Sequence, residues 1–455
     1  MKRFIVCAAA LVVSAAANAQ IRLTPADPVA DRLVAEALKQ VPEVSAARAN
    51  AEAARRRIIP ARTLPDPSAS FNYQNDGRSL SLGNAGGSFL GVMLSQPLPW
   101  PGKLSLAGKA AESEAREIET GIVGRAERSI EARVRNAWYD LLLAQATDRL
   151  IDDRRKAAAD IEATVRQRYA AGLAVQQDVL RAQIELARLD ETKASLQAAI
   201  VSRTAELNRL LGRTQEAPVE ATEDLPAIAS APETGSVVSA INARSPEVAA
   251  SRQGIETGRL GVALAKRNFL PDFAVNAGSM YRGSFEMGPM WQVGAGISIP
   301  AWIDRRQRNQ LAEAAARLDV RKAENRRVAS ELELRTRERL AQLEAANHVA
   351  TLYHDKIVPL DELSLQSALA SYTAGKVPFI TVLDALNSLY GDRATYLARV
   401  AEAAKWRVAV DEASLESTAM TAVAAMPSTG SAMNATATPT APAAGPSGGA
   451  MTSMR

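Results

Sequence analysis

The sequence predicts an α+β fold in two internal repeats: a long α-helical coiled-coil barrel whose chain also contributes four strands to a shared transmembrane β-barrel. Three observations predict it. The first is a repeated turn. RYAAGLAVQQDVLRAQIEL, Arg168 to Leu186, returns 203 residues later as SYTAGKVPFITVLDALNSL, Ser371 to Leu389. The two agree at seven positions, Tyr169/Tyr372, Ala171/Ala374, Gly172/Gly375, Val179/Val382, Leu180/Leu383, Ala182/Ala385 and Leu186/Leu389, where about one is expected by chance. The second is a pair of alternating, charge-poor segments that read as β-hairpins. The third is a set of heptad columns after the turn.

In chain order, residues 1–19 read as a secretory signal peptide. Lys2 and Arg3 precede an apolar run from Phe4 to Ala17, and Ala17-Asn18-Ala19 before Gln20 is a small-x-small cleavage site. The run is short for a bilayer span. The one cysteine, Cys7, lies inside it, so the mature chain is expected to have no disulfide, no thiolate chemistry and no lipid on an N-terminal cysteine. Losing Lys2 and Arg3 takes the net charge from +4 to +2. That balance leaves no footprint for nucleic acid. Runs such as Arg154-Arg155-Lys156 and Arg305-Arg306-Gln307-Arg308 read as solvated helix faces.

The first repeat, 20–213, opens with an Ala-rich helix from about Val29 to Ile59, interrupted at Pro42 and closed by Pro60. Its VPEVSAAR, Val41 to Arg48, is echoed by SPEVAASR, Ser245 to Arg252, so the repeat begins well before the turn. A hairpin follows over 65–100, with alternation in Phe71-Asn72-Tyr73 and in Leu90, Val92 and Leu94. The second copy, 270–300, places Trp291, Val293, Ala295, Ile297 and Ile299 on one side and Gln292, Gly294, Gly296 and Ser298 on the other. Such a strand suits a half-buried sheet or a membrane-barrel wall. Ten of the 20 aromatics fall in 65–102 and 269–302, and no charge lies inside the strands away from their ends, which points to the barrel. Four strands cannot close one, because an open edge in lipid leaves backbone groups unpaired. The chain must therefore oligomerise, as a dimer with eight strands or a trimer with twelve.

From Leu104 to about Arg168 there is no proline, and Ile130, Val134, Trp138 and Leu141 mark an apolar stripe. A helix of that length spans roughly 100 Å. After the turn, Val179, Leu186, Lys193, Ile200 and Leu207 form one heptad column, and Ala182, Leu189, Leu196, Arg203 and Leu210 another, ending at Leu211-Gly212. Residues 214–235, rich in Pro, Ala and Glu, read as a linker. The second repeat, 236–416, continues with a long helix from Asp304 to about Tyr353. A returning helix then runs from about Pro359 to Leu415, broken at Gly375 to Pro378. The tail, 417–455, consists mainly of Ala, Thr, Ser, Pro, Gly and Met and is expected to be disordered.

No enzyme constellation is present. The only histidines, His348 and His354, lie about 120° apart around a helix, the wrong spacing for joint metal ligation. No phosphate loop or dinucleotide fingerprint occurs, and no cofactor is implied. Met280, Met287 and Met290 cluster in the second hairpin loop, and five of the ten methionines lie in the tail. Thioethers suit Cu(I), but loop and low-complexity filler is the preferred account of them at this level.

With the signal peptide, the duplicated hairpin-plus-long-helix plan and the glycine turn in place, the chain resembles the TolC family of outer-membrane efflux ducts over nearly all of Ile21 to about Ser417. Within that family, LPDPSASFNY and SQPLPWPGKLSLAGKAA most resemble the heavy-metal branch, the CusC and CzcC group. The resemblance implies a homotrimer whose twelve strands form one barrel in the outer membrane and whose helices form a periplasmic tunnel. It implies that Gly172, Leu173, Gly375 and Lys376 form a tip where a periplasmic adaptor docks, and that Asp178, Tyr372 and Asp384 belong to a periplasmic gate.

For Asp178 and Asp384 the alternative is plain stabilisation of a helix N-terminus. Thr381 stands where some members have another acid, and Val377 where a gate arginine can occur. Many metal-branch members carry an N-terminal lipid that this chain has no cysteine to hold. The partners implied are the adaptor and an inner-membrane pump of the RND type, with outer-membrane lipid around the barrel. Two other readings stand beside the efflux duct: a duct for type I protein secretion, and a structural coiled-coil surface protein.

Overall fold

The computed structural model describes residues 23–24, 27–75, 88–219, 224–228, 233–281 and 289–416. The signal segment, the 417–455 tail and the tips of both hairpins lie outside the described residues, Met287 among them.

Three short helices lead in: α1 (Pro28–Gln40), α2 (Pro42–Arg56) and α3 (Ile58–Arg62). The Asp27 carboxylate caps α1, accepting from the amides of Val29 at 3.0 Å and Ala30 at 2.8 Å, and its other oxygen accepts from Trp138 Nε1 at 2.8 Å. Pro42 sits at the first position of α2, where a missing amide proton costs nothing. Pro60 does not close a helix as expected; it lies inside α3.

The strands β1 (Ser68–Gln74), β2 (Phe89–Leu98), β3 (Asp272–Tyr281) and β4 (Met290–Ser298) form one antiparallel sheet in the order β1-β2-β3-β4. The two hairpins, one from each repeat, pair through β2 and β3, with Leu94 opposite Ala277 and Leu98 opposite Phe273. Phe71, Val92, Val275, Trp291, Val293 and Ile297 are exposed on one face. Along β3 the opposite face, Asp272, Ala274, Asn276, Gly278 and Met280, is half-buried at every position. On β3 the small, polar face is thus the more covered of the two, as the concave side of a curled sheet is, and the apolar face is the outward one. Met280 and Met290 belong to β3 and β4, not to the loop between them. β1 and β4 each have an unpaired outer edge among the described residues.

Below the sheet, α4 (Lys103–Ile118), a π-helical turn (Glu119–Val123) and α5 (Gly124–Ala170) form one continuous rod. That rod is about 100 Å long at 1.5 Å per residue. Its turn lies where a later helix carrying Pro246 and Ala250 crosses: a side chain at Gly121 or Gly124 would come within 2.9 Å of Ala250 or Pro246. The return is α6 (Gln176–Leu211). Its heptad residues Ala182, Leu189, Leu207 and Leu210 are buried, and Lys193, the polar member of the other column, pairs with Asp152 on α5.

In the second copy, α7 (Thr234–Arg244) and α8 (Pro246–Arg267) precede the strands; α9 (Arg308–Leu352), α10 (Val358–Thr373) and α11 (Phe379–Asp411) follow. The expected break between Tyr353 and Pro359 is absent. The chain passes through a π-helical turn, Tyr353–Ile357, and continues into α10, because Pro359 needs no amide donor at the start of that segment. Direction reverses only at the Gly375 turn.

Two hydrophobic clusters sit at mid-length. One joins α1, α5, the end of α6 and α11 around Trp138, Leu141 and Leu207; the other joins α7, α9 and α11 around Ile241, Leu332 and Trp406. A third, around Val165, Leu189, Val382 and Leu386, binds the tip half of the bundle. The 214–235 segment is tied down where it is described: Val219 and Leu225 pack on the first cluster, and Asn208 Nδ2 donates to Ala217 O at 2.8 Å. No helix among the described residues is long and apolar enough to cross a membrane.

Candidate functional site

Both tips end in the same hydrogen-bonded cap. Gly172 N donates to Tyr169 O at 2.9 Å and Leu173 N to Arg168 O at 2.8 Å; Gly375 N donates to Tyr372 O at 2.9 Å and Lys376 N to Ser371 O at 2.9 Å. This double closure requires a left-handed residue just past the helix. Gly172 and Gly375 supply it, with φ of +72° and +71°, a region that L side chains enter only with strain. Nothing lies within 4 Å of where a Gly172 side chain would start. The chain reverses there with bare backbone facing solvent. Beside it Leu173 is 65 % and Val175 61 % exposed, and Lys376 is exposed at the second tip.

The proposed gate residues do not behave alike. Tyr372, in the last turn of α10, is buried and rests 5.5 Å from the Phe379 ring centroid. Burial first, then the negative charge of Asp178, raises its phenol above the ordinary tyrosine range, and Arg168 opposes the rise. Asp178 sits at the third position of α6, half-buried, so its charge also serves that helix's N-terminus. Asp384 lies beyond the first turn of α11 and is exposed, so N-terminal stabilisation does not account for it. Thr381, which is 203 residues after Asp178, occupies the matching place in the second copy and is also exposed. Val377 is half-buried and packs against the tip cluster.

Arg168 escaped the sequence reading of the tip. Its guanidinium donates across to Thr373 O of the second turn and, at 3.3 Å, to Leu173 O of its own. Its Cζ stands 5.0 Å from the centre of the Tyr372 ring. One side chain thus stitches both tips of the protomer together and holds Tyr372 beside Asp178. The only local signal was a cation in the last turn of a helix, which is common.

Among the described residues, no group of three or more His, Cys, Asp or Glu side chains could hold a metal ion.

A curled sheet with an apolar outer face and two open edges, set on helices about 100 Å long that end in paired turns, defines a subunit of an outer-membrane channel. The model of one family, described as outer membrane efflux protein, matches residues 33–213 and 237–414. This chain belongs to that family. It is 26 % identical over 356 residues to the cobalt-zinc-cadmium resistance protein CzcC of Cupriavidus metallidurans, covering 78 % of this chain and 82 % of that one. The outer membrane protein VceC of Vibrio cholerae superimposes with a TM-score of 0.68 at 20 % identity, over 85 % of this chain and 96 % of that one. CusC superimposes with a TM-score of 0.66 at 16 % identity, over 85 % and 92 %. At these identities the structural likenesses speak to the fold alone. Family membership makes this protein an efflux channel of the outer membrane, with its helices in the periplasm, and not an enzyme.

Proposed function

We propose that this chain is the exit duct of a tripartite efflux system, a homotrimer that receives heavy-metal ions from a periplasmic adaptor and an inner-membrane RND-type pump. The observation that supports assembly from several copies is the sheet, and the family resemblance favours three over two. Four strands with both outer edges unpaired cannot sit in lipid alone, and three copies supply twelve strands for one closed barrel. The repeats at 20–213 and 236–416, joined by 214–235, then place six tips at the periplasmic end. Gly172, Leu173, Gly375 and Lys376 form the adaptor-docking surface, where bare backbone lets a partner approach closely. Asp178, Tyr372 and Asp384 form the gate, an acidic ring attractive to cations. The similarity to a cobalt-zinc-cadmium resistance protein supports a metal substrate.

Three experiments test this reading. The purified protein is expected to run as a trimer in detergent, and deleting its gene is expected to lower tolerance to cobalt, zinc and cadmium. Replacing Gly172 and Gly375 together by valine is expected to abolish that tolerance at unchanged trimer yield. Normal tolerance in the double variant would remove the turns from the docking surface.

A further inference from the structure

Methionine is placed in this protein in a way that core packing does not explain. The helices α1 to α11 contain none, although a flexible thioether is a common filler of irregular helical cores. The outward face of the sheet contains none either. All three methionines among the described residues, Met93, Met280 and Met290, lie on the concave face. They also gather toward one end, the end where the β1–β2 and β3–β4 connections lie, away from the helices.

The strand register defines the cluster. Asn72, Gly91, Met280 and Met290 form one row across the four strands, each opposite the next. Ser70, Met93, Gly278 and Gln292 form the adjacent row on the same face. Met280 and Met290 are direct cross-strand partners, so their Cβ atoms stand about 5 Å apart, and Met93 is a diagonal neighbour of Met280 at about 7–8 Å, within reach of long side chains. Glycine occupies the place opposite two of them. A Cβ on Gly91 would lie 3.4 Å from Met280 Cγ, and one on Gly278 would lie 2.7 Å from Val92 O and 3.3 Å from Met93 Cα. The Met280 side chain therefore leans over Gly91 toward β2, the strand that carries Met93.

We propose that Met93, Met280 and Met290 form a thioether site for a soft monovalent cation, Cu(I) or Ag(I), on the luminal face of the barrel near its outer mouth. The assignment rests on the closed-barrel reading above, which makes the concave face the lumen. Thioether sulfur is uncharged and soft; it holds Cu(I) and Ag(I) but competes poorly with water for zinc or cobalt. With an asparagine, two glycines, a serine and a glutamine filling the rest of the two rows, these sulfurs are the soft donors facing the channel at this level. Threefold symmetry would repeat the cluster around the mouth and give a passing ion a succession of weak sites, as conduction needs.

The test compares the full-length wild-type trimer in detergent with its Met93→Leu/Met280→Leu/Met290→Leu variant, titrated with Ag(I) by calorimetry. Leucine conserves volume and apolarity, and the tail methionines are common to both proteins. The variant is expected to keep the trimer and to bind Ag(I) at least tenfold more weakly at its tightest class of site, with zinc unable to displace Ag(I) from the wild type. Equal Ag(I) affinity and stoichiometry in the two proteins would overturn the proposal, as would a wild type that binds no Ag(I). Should the triple variant lose its trimer, Met280→Leu and Met290→Leu singly carry the same expectation and the same refutation. A wild-type protein that forms no trimer would sink the duct reading and this site with it, an outcome distinct from a trimer that ignores Ag(I).

Discussion

Arg168 shows how much one side chain can organise at the tip. It reaches carbonyls of both turns and faces the Tyr372 ring, so Arg168→Ala should free the second turn from the first while leaving each glycine cap intact. Cells carrying that variant are expected to admit large antibiotics normally excluded by the outer membrane, at wild-type levels of protein. Lysine should rescue only in part, because it lacks the planar fork that serves two acceptors at once. Unchanged antibiotic exclusion by Arg168→Ala would show that the stitch does not hold the gate. A second residue-scale effect lies on the α10–α11 pair. Burial first, then the neighbouring Asp392 carboxyl, pushes Asp361 from an ordinary value of 3.8 up to about 6. Because the folded value is the higher one, the associated stability is present below about pH 4 and is lost as pH rises through about 6. Asp361→Asn, neutral throughout, is expected to be more stable than wild type at pH 7.5 by about 1 kcal/mol after allowance for partial exposure, and to unfold near the wild-type temperature at pH 4. Equal shifts at both pH values would count against the titration.

The helices owe their arrangement to a few buried polar anchors as well as to heptads. Lys405 of α11 is 1 % exposed and pairs with Asp140 of α5; Arg339 of α9 is 2 % exposed and donates to Ala409 O at 3.0 Å and Ser414 O at 2.7 Å, closing the end of α11. Lys405→Ala strands a carboxylate in a low-dielectric contact and should cost about 3–5 kcal/mol, whereas Lys405→Met combined with Asp140→Leu should recover most of the loss. Thermal unfolding of the detergent-solubilised variants checks both, and a harmless Lys405→Ala would show that water reaches the pair. Periodicity made the rods visible: the apolar stripe through Ile130, Val134, Trp138 and Leu141 is buried along its length. It misjudged Pro359, since a proline's effect depends on whether a local π-helical turn absorbs it, and that is decided by neighbours. It also could not show that the described parts of 214–235 are held down, because Asn208 reaches Ala217 through a tertiary contact.

At the scale of the whole molecule, the two faces of the sheet make opposite demands. Val293 is 68 % exposed on the apolar face and Gln292 beside it points to the concave side. An arginine at 293 would face lipid at about 2–4 kcal/mol per chain, while one at 292 would face water. Val293→Arg is therefore expected to abolish assembled, heat-modifiable protein in the outer membrane, and Gln292→Arg to preserve it. The reverse pattern would show that the faces are assigned the wrong way round.

The sequence by itself determined what local chemistry repeats: two copies of one plan, strands of alternating character, heptad rods and glycine turns. Each follows from a periodicity or a backbone requirement confined to a few neighbouring residues. Only the tertiary structure decided which distant residues meet. Arg168, Asp178 and Tyr372 come from three different helices, and Met93 comes from one repeat while Met280 and Met290 come from the other. No one-dimensional pattern records such meetings, because they are set by how the two copies pack and by which strands pair.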